Sequence, residues 1–153
     1  MYTHAPNNYK CPLCGLVSGS DDQPSKQSDI FYKDRFLTAY IAPKWWPNNP
    51  AHVIIIPNQH IESLYDISDE LLMRIYSMAK KVSVALKEVY KCDGTSTRQH
   101  NEPAGNQDVW HFHTHVFPRY DNDQLYELSQ SSRWTEPEER VPYANKLRDY
   151  FSK

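Results

Sequence analysis

The chain has 153 residues, with 17 basic against 19 acidic side chains and a net charge of −2. That is enough for one domain with a sizeable core and excludes a global field that would recruit nucleic acid or an anionic membrane, so any recognition of phosphate must be local. The polar opening residues lack the apolar run of a targeting segment, and the longest apolar run, Val53 to Ile56, is far too short to span a bilayer, which points to a cytoplasmic protein.

In chain order, the first chemistry-bearing stretch is Cys11-Pro-Leu-Cys14-Gly15. Two thiolates at this spacing can face one ion, and Gly15 eases the turn between them. The pair, with Cys92 left over and read as inert, fits a reducing compartment and a metal site better than a disulfide framework. A redox pair is the competing reading, but no neighbouring Trp or following helix speaks for it. Tetrahedral zinc needs two more ligands, and histidines are the sensible donors. Residues 18–28 read as a polar linker without a motif.

Asp29 to Ala42 predicts a hairpin, with Ile30 to Tyr32 and Phe36 to Ile41 flanking a turn at Lys33-Asp34-Arg35. Residues 43–50 are too rich in proline for regular structure. Within them Trp45 and Trp46 could stack on a nucleobase, cover a subunit boundary or simply pack in the loop. His52-Val-Ile-Ile-Ile56-Pro57 is a continuous β-branched run and predicts a central strand buried on both faces. His52 and His60, which flank it, could each complete the zinc site or line a pocket.

Residues 61–65 make at most one helical turn. Ser68 to Tyr90 predicts the one long helix: Ser68 suits the N-cap, Asp69 and Glu70 suit the positive end of the dipole, and Leu71, Ile75, Met78, Val82 and Leu86 recur at helical spacing. Gly94 is expected to end it. Thr95 to His100 reads as a strand and Asn101 to Asn106 as the loop after it.

Function turns on Gln107-Asp-Val-Trp-His111-Phe-His113-Thr-His115-Val-Phe-Pro-Arg119. On an extended chain the three histidines project from one face, while Phe112, Thr114 and Val116 project from the other. A helix would scatter them by about 200° at each step of two residues. Neighbouring imidazoles cannot all carry charge cheaply, so at least one is neutral near pH 7, available as nucleophile, general base or metal ligand. Beyond Arg119, residues 121–135 are polar with one apolar patch, and Pro142 to Phe151 predicts a terminal helix with Pro142 at its first position.

These residues resemble the histidine triad (HIT) domain family. The likeness is carried by the triad stretch with Gln107, by His52-Val-Ile-Ile-Ile-Pro57-x-x-His60 and by Cys11-x-x-Cys14, and runs from about residue 9 to residue 120, with 121–153 as an extension of a single domain. It implies an α+β fold, an antiparallel sheet of about five strands with the long helix across it, paired into a homodimer. It implies a nucleotidyl hydrolase or transferase acting at the α-phosphorus of a nucleotide substrate, without nucleic-acid or membrane partners. By position, His113 matches the nucleophile, His115 the outer triad residue near the phosphate, Gln107 a phosphate or leaving-group contact and Asn101 a family asparagine. His52 faces the pocket on the phosphate side. Zinc, in a structural role, would be held by Cys11, Cys14, His60 and His111, the last also counted with the catalytic triad. Two features depart from the pattern: Asn106 intervenes before Gln107, and residues 42–47 carry no acid or asparagine for ribose hydroxyls.

Two other classes remain on the residues alone. One is a metalloenzyme in which His111, His113 and His115 share a catalytic metal, although three ligands from one strand suit a tetrahedron poorly. The other is a nucleotide-binding module without turnover.

Overall fold

The computed structural model describes residues 2–153. Its elements are α1 (Pro12–Val17), β1 (Ile30–Lys33), β2 (Leu37–Ile41), β3 (Lys44–Trp45), β4 (Val53–Pro57), α2 (Asp69–Val89), β5 (Gly94–Gln99), β6 (Thr114–Arg119), β7 (Arg133–Trp134) and α3 (Pro137–Phe151). Five strands form one antiparallel sheet in the order β1-β2-β4-β6-β5, and β3 pairs with β7 in a separate ribbon. This is the α+β fold with a five-stranded sheet and one long helix expected from the sequence.

The β-branched run of β4 is buried on both faces, as its composition requires. Val53 and Ile55 join the large core under α2 together with Ala39, Ile41, Val116, Ile75 and Val82. Ile54 and Ile56 point the other way and pack with Tyr40, Leu13 and Leu16 of the α1 side. The sheet therefore has a packing face toward α2 and a second face toward α1, and the second face holds the histidines.

Several boundaries differ from the sequence reading, each for a local reason. The sheet ladder of β6 starts at Thr114, not near Gln107, because Ile55 of β4 and Gln99 of β5 both end their pairing there. The stretch before it is bent and tied elsewhere, with the Phe112 N–H donating to the Ile61 carbonyl at 2.6 Å and the His111 N–H to the Val109 carbonyl at 2.8 Å. Cys11 caps a short helix, α1, that the sequence reading did not place there. Lys91, with φ of 56°, turns the chain out of α2, and Gly94 starts β5 instead of ending the helix.

The segment 43–50, expected to be irregular, contributes β3, whose partner β7 lies some ninety residues away: Lys44 pairs with Trp134 and Trp45 with Arg133. The last helix begins at Pro137, five residues before Pro142, because Glu136 and Glu139 form a capping box there. Pro142 lies inside α3, where its missing N–H costs only a bond to the solvent-exposed Glu138. The 18–28 stretch is also more than a linker, since it leads into Asp29, whose carboxylate is fully buried and accepts from Arg140 Nε at 2.8 Å. The remaining Arg140 nitrogens donate to the carbonyls of Thr135 and Pro24, so α3 is locked to the N-terminal third. Among the described residues no helix is long and apolar enough to cross a membrane.

Candidate active site

The strand β6 and its lead-in sort their side chains by face. Phe112 and Val116 enter the core under α2, while His113, His115 and Phe117 line the second face, with 5.1 Å between the His113 and His115 ring centroids and 5.7 Å between those of His115 and Phe117. His52, at the entrance to β4, stacks on Phe117 at 4.2 Å and brings its Nε2 to 3.1 Å from His115 Nδ1. Trp46 closes this end, its ring edge-on to His52 and Phe117.

The three triad rings take three different partners. His113 Nδ1 lies 2.7 Å from the carbonyl oxygen of His111. A carbonyl only accepts, so Nδ1 carries the proton and the lone pair of His113 sits on Nε2. His111 behaves in the reverse sense: its Nε2–H donates to the Pro57 carbonyl at 3.0 Å, which leaves Nδ1 as the free lone pair. That atom lies 3.4 Å from Cys11 Sγ and 3.6 Å from Cys14 Sγ, and His60 Nδ1 lies 3.3 Å from Cys14 Sγ. The four donor atoms all fall within 4.8 Å of one another. With Zn–S of about 2.3 Å and Zn–N of about 2.05 Å, a tetrahedral site has S···N edges of about 3.5 Å, which these separations match.

His113 and His115 open onto a cavity of about 190 Å³ whose walls include Tyr40, Trp46, Ile54 and Trp134. Burial pushes the rings toward neutrality. It holds His52 down at about 3, with the nearby Arg98 guanidinium adding to the effect, and lowers His113. His115 falls well below the ordinary imidazole value through burial and then through the neighbouring His113 and His52. Burial likewise lowers His111 to about 4, and raises the Cys14 thiol to about 12 with help from its bond to Cys11. Neutral His113 is therefore the resting form, and thiolates at the cysteine pair call for a bound cation.

Among the other residues singled out by sequence, His60 and His111 join the cysteines, and His52 lines the cavity. Gln107 is buried below the site: its amide donates to the carbonyls of Glu62 at 2.7 Å and Val109 at 3.1 Å and accepts from the Glu102 N–H at 2.9 Å. Asn101 accepts from the Leu64 N–H at 2.8 Å and donates to Gln99, which ties the 101–107 loop to the chain ahead of α2. The adjacent tryptophans part company. Trp45 is buried, donates to the Ala42 carbonyl and packs edge-on to Tyr143, whereas Trp46 lines the cavity.

Sequence reasoning missed Trp134, brought to the cavity by the β3–β7 ribbon, and Asp108, whose Oδ1 is 4.0 Å from His113 Nε2. It also missed Arg98 and His100, although strict alternation along Thr95 to His100 would have placed both on one face.

The HIT domain family model matches residues 23–122. A bis(5′-adenosyl)-triphosphatase of Dictyostelium discoideum is 28% identical over 134 residues, covering 82% of this chain and 87% of its own length. Among solved structures, a Hit-like protein involved in cell-cycle regulation from Bartonella henselae is 27% identical with a TM-score of 0.78, over 95% of this chain and 98% of that one. A Zn-bound histidine triad family protein from Mycobacterium smegmatis shares the fold at 24% identity, with a TM-score of 0.75 over 94% of each chain.

Proposed function

The chain belongs to the HIT domain family, which includes nucleotide hydrolases, and from that premise we propose that it hydrolyses a nucleoside phosphate derivative at the α-phosphorus through a nucleotidyl group carried on His113. The observation that carries this reading is the 2.7 Å bond from His113 Nδ1–H to the His111 carbonyl, which leaves a neutral ring with its Nε2 lone pair on the cavity side.

In the first step that lone pair forms the N–P bond as the leaving group departs with the electron pair of its own bond to phosphorus. In the second, a water oxygen attacks phosphorus, the N–P pair returns to Nε2 and the water proton is released, so one hard displacement becomes two easier ones. His115 serves the non-bridging oxygens. Of the two tautomers possible for the His52–His115 contact, donation from His52 Nε2–H leaves only a lone pair unpartnered at the buried His52 Nδ1, whereas the reverse would orphan an N–H, the costlier outcome. His115 then keeps an Nε2–H to donate to charge developing on the phosphate. Gln107 and Asn101 hold the 101–107 loop beside the phosphate position.

Zinc is the ion that the two thiols and two imidazoles fit, and the Zn-bound relative supports the choice. Bound there by Cys11, Cys14, His60 and His111, it would have a closed shell and a structural role, fixing α1 to the lead-in of β6. A cysteine pair that serves a metal site and not a disulfide suits a reducing compartment and so a cytoplasmic enzyme, and the half-exposed edge strand β5 suits pairing into a homodimer.

The test is hydrolysis of a labelled nucleoside phosphoramidate and of a dinucleoside polyphosphate by the wild type and by His113→Ala. Turnover that the substitution abolishes, with a labelled protein adduct trapped on acid quench of the wild type, is expected. Equal rates in the two proteins, or tight nucleotide binding with no turnover of either substrate, would leave a binding module instead.

A further inference from the structure

Arg98 stands directly opposite His115 on the neighbouring strand. Facing residues of an antiparallel pair project to the same side, so its side chain rises on the face that bears the histidines, with His100 two residues on. The guanidinium carbon lies 5.5 Å from the Phe117 ring centroid, 5.8 Å from that of Trp46 and 5.8 Å from that of Tyr126. Three aromatic walls thus hold the fork, yet none of them accepts its hydrogen bonds in the plane of the guanidinium. Its Nη1 is buried and has no partner.

Two other arginines make the contrast plain. Arg119 and Arg140 each face a carboxylate, Asp123 at 2.7 Å and Asp29 at 2.8 Å, and among the described residues no acid pairs with Arg98. A buried guanidinium N–H without an acceptor is expensive to keep, and a bound anion removes that cost. The charges around the histidines are also laid out with a direction. Asp108 stands at the His113 end, 4.0 Å from Nε2, while Arg98 stands at the His115 end with no acid beside it. His100 adds a third imidazole there, its ring centroid 6.4 Å from that of His115 and its Nδ1–H donating to the Asn106 carbonyl at 3.1 Å.

We propose that Arg98 is the base of an anion subsite beside His115 that binds a phosphate of the leaving group, so that the enzyme prefers substrates whose leaving group is itself a phosphate or nucleoside phosphate. This rests on the hydrolase reading above and adds a specificity to it. The planar fork suits two phosphate oxygens at once, and the aromatic walls pre-set its orientation, so little side-chain entropy is lost on binding.

Two measurements on the full-length, zinc-loaded protein separate the subsite from the hydrolase reading. The first is calorimetric binding of inorganic tripolyphosphate, which needs no turnover, to the wild type, Arg98→Met and Arg98→Lys. Methionine keeps apolar contact with the three rings, and thermal melting checks that each variant is folded. Loss of about tenfold to a hundredfold in affinity for Arg98→Met, the range of a charge-assisted hydrogen bond, with partial recovery in Arg98→Lys, is the expected result. The second is kcat/KM for a dinucleoside polyphosphate against a nucleoside phosphoramidate with an uncharged amine leaving group. Arg98→Met should lower the first by a similar factor and leave the second within about twofold. Equal tripolyphosphate affinity in wild type and Arg98→Met, or equal losses on both substrates, would show that Arg98 only braces the rings. Arg98-dependent tripolyphosphate binding in a protein that turns over neither substrate would keep the subsite and remove the hydrolase.

Discussion

The Nδ1–H of His113 is held by the carbonyl oxygen of His111 at 2.7 Å, so the backbone of one metal-cluster residue sets the tautomer of the ring two positions later. On the hydrolase reading with zinc at the Cys–His cluster, that peptide would couple stability to chemistry. Loss of the ion should then reach His113, even though the cluster holds no reacting atom. Cys14→Ser is expected to empty the site, to lower Tm by about 10 °C or more and to reduce kcat more than it raises KM, because the ring is misplaced while the cavity walls remain. Metal analysis, melting curves and steady-state kinetics on the same preparation check this. A variant that lacks zinc but keeps wild-type kcat would break the coupling.

On the hydrolase reading, His52 would act on the phosphate through His115. Its Nε2 lies 3.1 Å from His115 Nδ1 and its ring stacks on Phe117. His52→Phe keeps the stacking area and removes the donor, so it should fold normally and lower kcat by about tenfold to a hundredfold, the usual cost of losing a group that orients a catalytic imidazole. His52→Ala adds a stability loss from the vacated volume. Wild-type kcat in the phenylalanine variant would make His52 a packing residue only.

Asp123 is expected to contribute to stability on the acid side. It is 4% exposed and accepts from Arg119 through both oxygens, at 2.7 and 2.8 Å, from Asn49 Nδ2 at 2.7 Å and from the N–H groups of Tyr120 and Leu125. Arg119 above all holds its carboxyl far below the usual carboxylate range, with those other donors adding to the effect. A depressed folded-state value means that the stabilisation is complete above the unfolded value of about 3.9 and is lost as pH falls toward the folded one. Asp123→Asn should then cost about 2 kcal/mol at pH 7, and the gap from wild type should stay constant down to about pH 5 and narrow below about pH 4. Urea unfolding across that range reads it directly. A gap that stays constant to pH 3 would assign the stabilisation to shape and not to charge.

The parts of the fold that could be read from sequence were those with short-range signals: the β-branched run of β4, the helical stripe of α2 with its Ser68 cap, and the alternation of His113, Thr114, His115 and Val116. The cluster of Cys11, Cys14, His60 and His111 was legible as a set of residue types, although only the folded chain shows His111 turned from the other two rings by the bond from its Nε2 to Pro57. What the sequence hid depends on distant pairing. Lys44–Trp45 and Arg133–Trp134 are two-residue strands with no periodicity of their own, made by each other, and the buried Asp29–Arg140 pair joins segments 111 residues apart that each look like solvated surface. Arg98 was hidden differently, since an arginine in a polar strand reads as exposed until its neighbour is known to be His115.

One backbone step separates a core tryptophan from a tryptophan of the cavity wall. Trp45 is 6% exposed and packs on Tyr143 of α3, with its indole N–H donating to the Ala42 carbonyl. Trp46 turns to the opposite side, against His52 and into the cavity. Trp45→Ala should cost about 3–5 kcal/mol, as for a large aromatic removed from a core, and loosen α3, with KM little changed in whatever fraction stays folded. Trp46→Ala should cost less stability and act on substrate: it removes a cavity wall and an aromatic brace of Arg98, so KM should rise several-fold. Chemical unfolding and kinetics of the two variants side by side decide the matter. The reverse assignment, with KM rising in the Trp45 variant and core stability lost in the Trp46 variant, would mean that the cavity beside His113 is not where substrate sits.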